Sequence, residues 1–192
     1  MLCSPKIRKI SEAFPAVDNS TVLAGQRAFK YADFFYAKNL SCDYVKMIAS
    51  EMEKHVLGEH KYVLLDVKVC EIKAGKIPAY GFWHTDCTLD MRHKEKEEHH
   101  VIFVSGAGSR TEFISSDIDV DFSGVDLKRW SPEYESRITK AISDQSAKIL
   151  KIDERTLYSY GRDIHRATPA LFDETRILVR MTETNIVYPK SK

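Results

Sequence analysis

The chain has 192 residues, 43% of them hydrophobic and 30% charged, which is long enough to bury a core and ordinary for a globular fold. Lys plus Arg number 29 against 28 for Asp plus Glu, a formal net charge of +1, so the basic excess of proteins that grip long stretches of phosphate backbone is absent. That balance argues against a broad nucleic-acid surface and leaves room only for a local patch.

Four cysteines (Cys3, Cys42, Cys70 and Cys87) lie far apart with no CxxC spacing, as expected of free thiols in a reducing compartment rather than a disulfide scaffold or a zinc site. The opening Met1-Leu2-Cys3-Ser4-Pro5-Lys6 lacks the apolar stretch of a signal peptide. No apolar run approaches the roughly 18 residues of a membrane span. The expectation is a cytoplasmic protein with no membrane partner. Without repeats, low-complexity segments or Gly/Ser linkers, residues 1–192 read as a single domain.

In chain order, the segment up to about Ser20 mixes Pro, Ser and charge and is expected to wrap the surface. A helix is predicted from about Ala24 to Lys38, with Phe29, Phe34 and Phe35 among good helix formers. A second runs from about Ser41 to Val56, with Ser41 as its N-cap and Tyr44, Met47, Ile48, Met52 and His55 on one face. That stripe is core packing, and these helices are expected to brace one side of a sheet. The period then changes to two. Across Tyr62–Ile72 one face carries Val63, Leu65, Val67 and Val69 and the other Asp66 and Lys68, as a half-buried strand requires. Glu71 falls on the apolar face and marks the expected end of the buried part, and Ala74–Pro78 is a turn.

Further strands are predicted at Tyr80–Trp83, His100–Val104, Thr111–Ile114, Leu150–Ile152, Thr156–Tyr160 and Arg176–Thr182, punctuated by Gly106, Gly108 and Gly124. The run Arg92-His93-Lys94-Glu95-Lys96-Glu97-Glu98 mixes both signs and reads as a solvated loop. Ser131-Pro132-Glu133-Tyr134-Glu135 opens a helix to about Lys148, with Ser at the cap, Pro at the first position and acids in the first turn. Many short strands separated by turns point to an antiparallel sandwich or barrel, not a parallel βαβ sheet.

The chemistry concentrates at Gly81-Phe82-Trp83-His84-Thr85-Asp86. At the end of a strand, residues i and i+2 share a face, so His84 and Asp86 point together with Thr85 turned away. An imidazole and a carboxylate side by side can hold a divalent metal. Among the seven histidines, His165 is the third candidate, because it follows a strand and a turn at Gly161 and Asp163 that can aim it back at the same place. Two His and one carboxylate make the facial triad of non-haem Fe(II) oxygenases, which leaves coordination positions open for an α-keto acid and O₂. 2-Oxoglutarate carries a second carboxylate, whose burial calls for a cation. In a strand, Arg176, Leu178, Arg180 and Thr182 share one face and Ile177, Val179 and Met181 the other. Which of the two turns inward is left open. As bland alternatives, His84 and Asp86 could be a hydrogen-bonded pair, His165 a buried structural histidine, and either arginine a surface partner of Asp173 or Glu174. Adjacent His99 and His100 point to opposite faces and are poorly placed to share an ion. Cys87 is read as a neighbour of the site, with oxidative damage as the alternative, and Trp83 and Phe82 as packing residues, one of them alternatively lining the substrate pocket.

Trp83-His84-Thr85-Asp86, then His165-Arg166-Ala167-Thr168-Pro169-Ala170, then Arg176 and Arg180, resembles the Fe(II)/2-oxoglutarate-dependent dioxygenases. Asp86 to His165 spans 79 positions, and His165 to Arg176 and Arg180 spans 11 and 15. The resemblance covers about residues 63–184 and leaves the first 60 or so untouched. It implies a double-stranded β-helix (jelly roll), mainly β with flanking helices: a helical extension over about residues 1–60 and a jelly-roll core over about 61–186. It implies Fe(II) on His84, Asp86 and His165, with O₂ and 2-oxoglutarate as co-substrates, succinate as a product and oxidation of a C–H bond. Arg176 is favoured for the far carboxylate by spacing, and Arg180 for the near carboxylate or the substrate. Arg180-Met181-Thr182 also resembles the Arg-x-Ser/Thr pair that some members place on the far carboxylate, so the choice stays open. The substrate stays open as well: a small molecule, a peptide side chain or a nucleobase, selected by residues 88–98, 115–130 and the leading helices. Two rival functions are a cupin-like module that binds a metal or small acid without turnover, and a Zn²⁺- or Mn²⁺-dependent hydrolase or isomerase.

Overall fold

The structure is a computed structural model that describes residues 1–86, 97–125 and 131–186. In chain order its elements are β1 (Leu2–Cys3), β2 (Arg8–Lys9), α1 (Asn19–Gly25), β3 (Phe29–Asp33), α2 (Phe34–Leu40), α3 (Asp43–Glu53), β4 (Tyr62–Ile72), β5 (His99–Ser105), β6 (Thr111–Ile114), β7 (Ile118–Asp119), α4 (Pro132–Asp144), β8 (Ile149–Lys151), β9 (Leu157–Tyr160), β10 (His165–Ala167) and β11 (Glu174–Thr184). Every pairing between them is antiparallel. The largest sheet has the order β2-β9-β5-β11-β4-β3, a second has β10-β6-β8, and β1 pairs with β7. The chain is mainly β with flanking helices, and among the described residues the sheets do not close into a barrel.

The centre of the large sheet is β11, paired along its whole length with β4 (Glu174↔Ile72 through Thr184↔Tyr62) and along part of it with β5. Its two-residue period divides the molecule. Ile177, Val179 and Met181 join Leu65, Val67, Val101, Phe103 and Leu157 in a core with Phe34 and Ala37 of α2 and Val45, Ile48, Ala49 and Met52 of α3. Each large apolar side chain fully buried there contributes about 1.5–3 kcal/mol. On the opposite face, Ile102, Val104, Tyr158, Tyr160 and Leu178 pack against Phe113 and Leu150 of the smaller sheet and Ile152 just beyond it. A third cluster seats α4 on Trp83, Ile114, Ile118, Val120 and Ile164. Its helix starts as expected, Ser131 Oγ accepting from the Tyr134 N–H at 3.1 Å, and it ends at Asp144.

Several expectations need correction. The helix expected over Ala24–Lys38 is divided into the end of α1, the edge strand β3 and α2. Phe29, Ala32 and Asp33 pair with β4 across a register irregularity, so the open edge of β4 overrides local helix propensity. Asp33 then caps α2 by accepting from Tyr36 N at 2.9 Å. Ser41 closes α2, donating to Ala37 O at 2.8 Å, and does not open α3, which follows Cys42 without a side-chain cap. The buried face of α3 is Val45, Ile48, Ala49 and Met52, while Met47 is 39% exposed. Beyond Glu71, which is exposed, Ile72 is buried again. Tyr80–Trp83 forms no strand, its neighbourhood being held by single backbone bonds. The opening segment does more than wrap the surface, since β1 and β2 add to β7 and β9. Glu98 is buried and accepts from Thr184 Oγ1, so that end of the charged run is not solvated. Residues 92–96 of the run and Cys87 lie outside the described residues. Cys3, Cys42 and Cys70 are free thiols, and no helix among the described residues is long and apolar enough to cross a membrane.

Candidate metal centre

Backbone pairing brings the two ends of the motif together. His84 N donates to His165 O at 3.0 Å and His165 N to His84 O at 2.8 Å, an isolated antiparallel bridge. Residues that exchange both bonds in this way project their side chains to one face, and the imidazole centroids lie 4.4 Å apart. His165 is fixed from the other side by β10, in register with Phe113 of β6, whose ring stacks on it at 5.1 Å. The preceding turn is held by Asp163, which accepts from Gly161 N at 2.8 Å and from Lys6 N and Ile7 N at 2.5 and 2.9 Å. Asp86 joins the pair from two residues beyond His84, while Thr85 turns away toward Tyr134 of α4. Trp83 is buried under α4 with the Arg166 guanidinium 4.3 Å above its ring.

One ligating atom from each of His84, Asp86 and His165 lies within 4.8 Å of the others. Both imidazoles are oriented by the backbone. His84 Nδ1 sits 2.9 Å from Phe82 O and His165 Nδ1 2.9 Å from Asp163 O. A carbonyl only accepts, so each Nδ1 carries a proton and Nε2 is the nitrogen left for a ligand. Burial, with His165 beside it, pushes the His84 pKa down to about 4, which keeps that ring neutral and able to ligate.

The Asp86 carboxylate is shared. Arg180 Nη1 donates to Oδ1 at 2.6 Å, and Tyr160 Oη donates to Oδ2 at 2.5 Å. Oδ2 lies 3.6 Å from His165 Nε2, which leaves it as the ligating oxygen and favours one-oxygen coordination. Burial opposes the charge on Asp86, but Arg180, then His165 and His100, hold the carboxyl well below the usual range. Tyr160 goes the other way: burial and then the Asp86 charge push its hydroxyl well up, so it remains a donor. Two imidazoles and one anionic oxygen, each with a fixed outer partner, suit a divalent transition metal with open positions.

The arginine face of β11 turns inward, toward the smaller sheet. Arg180 is held by Asp66 Oδ2, with Nε at 3.2 Å and Nη2 at 2.7 Å, as well as by Asp86. Arg176 is 2% exposed; its Nη2 donates to Thr111 Oγ1 at 3.2 Å, and its Nε has no hydrogen-bond partner among the described residues. Burial lowers its pKa to about 10, with Cys70 and Glu174 opposing. Neither arginine forms the surface pair considered above. Asp173 takes Lys73 Nζ and Ala74 N, and Glu174 accepts from Gly108 N and Ser109 N. Thr182 Oγ1 lies 3.0 Å from His100 Nδ1, so the Arg180/Thr182 pair has other partners. As expected, His99 and His100 diverge: His99 Nε2 meets Ser159 Oγ at 2.9 Å, and His100 stacks on Tyr160 at 4.8 Å.

Sequence reasoning missed Tyr160 and Asp66. Tyr160 carries no motif signal, since an aromatic residue in a strand is commonplace. Asp66 was visible only as the polar face of β4, and alternation does not say whether that face meets water or a second layer. At the rim, the Tyr80 and Phe82 rings lie 5.1 and 5.3 Å from His84, and Tyr80 is 62% exposed. No protein-family model matches the chain, and no curated protein matches it.

Proposed function

We propose that the chain is an Fe(II)- and 2-oxoglutarate-dependent oxygenase on a jelly-roll core, with His84, Asp86 and His165 as the iron ligands. The observation that carries this reading is the convergence of the three ligating atoms within 4.8 Å, on imidazoles whose backbone partners aim Nε2 at the common centre. Three ligands, not four, suit a metal that must also take a co-substrate.

Arg176 supports the identity of that co-substrate. Among the described residues its buried guanidinium has no carboxylate hydrogen-bonded to it and its Nε has no hydrogen-bond partner, an environment suited to an incoming anion. Its neighbour Thr111 lies two register steps from Phe113, the residue opposite His165. That is about 7 Å along the strand, a separation suited to a five-carbon diacid held at one end by the metal. In this reading Arg176, with Thr111, holds the far carboxylate, and Arg180 and Tyr160 hold Asp86. When bound, Fe(II) supplies the redox chemistry in which O₂ and 2-oxoglutarate yield succinate and CO₂ while a substrate C–H bond is oxidised, by hydroxylation or by demethylation through hydroxylation. Tyr80 and Phe82 stand where the substrate would approach.

The test is succinate release from 2-oxoglutarate with Fe(II), ascorbate and O₂, beside His165→Ala. Succinate from the wild type alone is expected. A wild type that binds 2-oxoglutarate and a metal but releases no succinate with any candidate small molecule, peptide or nucleobase would favour the cupin-like binding module.

A further inference from the structure

We infer that Asp66, held by the backbone of Tyr31, is a positioning residue for the metal centre that acts through Arg180. This rests on the reading of His84, Asp86 and His165 as metal ligands.

Asp66 lies directly opposite Arg180 in the β4–β11 register and is 8% exposed. Its Oδ2 takes two donors of the guanidinium, Nε and Nη2, at 3.2 and 2.7 Å. Because the guanidinium is planar, fixing those two atoms fixes its plane and leaves Nη1 to reach Asp86 Oδ1 at 2.6 Å. Arginine otherwise prefers to grip a carboxylate with two parallel bonds. Directed at Asp86, that grip would cover Oδ2, the oxygen facing His165. Asp66 therefore keeps Arg180 to a one-point hold, which orients Asp86 and leaves Oδ2 uncovered by the guanidinium, with Tyr160 Oη as its donor.

Asp66 is itself restrained by the N-terminal segment. Its Oδ1 accepts from Tyr31 N at 2.6 Å. Tyr31 has φ +50°, in the left-handed region that bulky side chains rarely adopt, and it sits in the register irregularity between Phe29 and Ala32. That distortion turns the N–H toward Asp66 and away from the ladder. Strained backbone of this kind persists where surrounding structure holds it and is concentrated at functional sites. The part of the chain with no resemblance to the oxygenases thus holds the last link of a relay from Tyr31 through Asp66 and Arg180 to Asp86.

The experiment is anaerobic Co²⁺ titration followed by visible absorption on the wild type, Asp66→Asn, Arg180→Lys, Arg180→Ala and the double variant Asp66→Asn/Arg180→Ala. Asn keeps the shape of Asp66 and its acceptor for Tyr31 N. One Co²⁺ should bind the wild type, and Asp66→Asn should weaken binding about 10–100-fold, as loss of an outer partner of a ligand does. Arg180→Lys, which keeps the charge but not the planar fork, should lose a similar factor. In the Arg180→Ala background the Asp66→Asn effect should disappear. Unchanged affinity in Asp66→Asn or Arg180→Lys would overturn the inference while the metal centre stands, and so would a full, independent loss in the double variant. A wild type that binds no Co²⁺ would overturn the metal-centre reading and the relay with it.

Discussion

If Arg176 exists to receive an anion, replacing it should strengthen the empty protein while removing the co-substrate. Arg176 is 2% exposed, and among the described residues no carboxylate is hydrogen-bonded to its guanidinium, Glu174 acting on it only at longer range. Burial lowers its pKa from the usual guanidinium range to about 10; at about 1.4 kcal/mol per pKa unit this corresponds to roughly 3 kcal/mol by which the buried charge disfavours the folded state at neutral pH. Arg176→Met keeps much of the apolar stem and removes that cost. Against it stands the loss of one long hydrogen bond to Thr111 at 3.2 Å, worth about 1.5 kcal/mol, the low end for a charged donor. The variant should therefore be more stable by about 1–2 kcal/mol, which for a domain of this size raises Tm by several degrees. Urea and thermal unfolding of the apoprotein read the first half of the prediction. Calorimetric titration with 2-oxoglutarate, with Mn²⁺ in place of iron and no O₂, reads the second: measurable binding to the wild type and none to the variant. Destabilisation by 2 kcal/mol or more would refute the reasoning, because it would mean that Arg176 already has a structural partner in the folded chain.

Tyr160→Phe removes the donor to Asp86 Oδ2 at 2.5 Å without changing the packing of the ring. Co²⁺ affinity should fall about tenfold with little change in Tm, and an unaltered affinity would assign the hydroxyl no part in the centre. Acid should weaken the apoprotein through His100, whose pKa burial pushes down to about 4. Since its unfolded value is higher, near 6.5, the unfolded chain takes up a proton that the folded chain refuses. Stability is lost as the pH falls from that value toward 4, by about 2 kcal/mol at pH 5. Unfolding free energies from urea titrations at pH 7 and pH 5 should converge in His100→Asn by that amount, and an identical pH slope in the variant would remove His100 from the account.

The parts of the site readable from sequence were those governed by short-range geometry. The two-residue step from His84 to Asp86 and the turn before His165 needed no knowledge of pairing. Their meeting did need it, because a single backbone bridge joins positions far apart in the chain. Alternation places Asp66 on the polar face of β4, where it meets the guanidinium of its cross-strand neighbour Arg180, and only strand pairing decides between water and salt bridge. Ser41 stands between two helices and is chemically fit to end one or begin the next; the packing of α2 chose the first. The strand β3 left no alternation to read, since its irregularity breaks the period within five residues. Two-residue strands such as β1, β2 and β7 are too short to have a period at all.

The register of β11 ties the fold to the chemistry. A slip of one residue would send every side chain of a strand to its opposite face. Here it would carry Arg176, Arg180 and Thr182 into the helix-side core and bring Ile177, Val179 and Met181 to the face of the His84, Asp86 and His165 cluster. Hydrophobic pattern opposes that slip, but a slip of two residues would preserve the pattern. The charges exclude it. Arg180 lies opposite Asp66 in the observed register, and moving it by two would leave a buried guanidinium and a buried carboxylate without each other, at a cost of several kcal/mol. The ion pair that orients Asp86 therefore also selects the strand alignment that the centre requires.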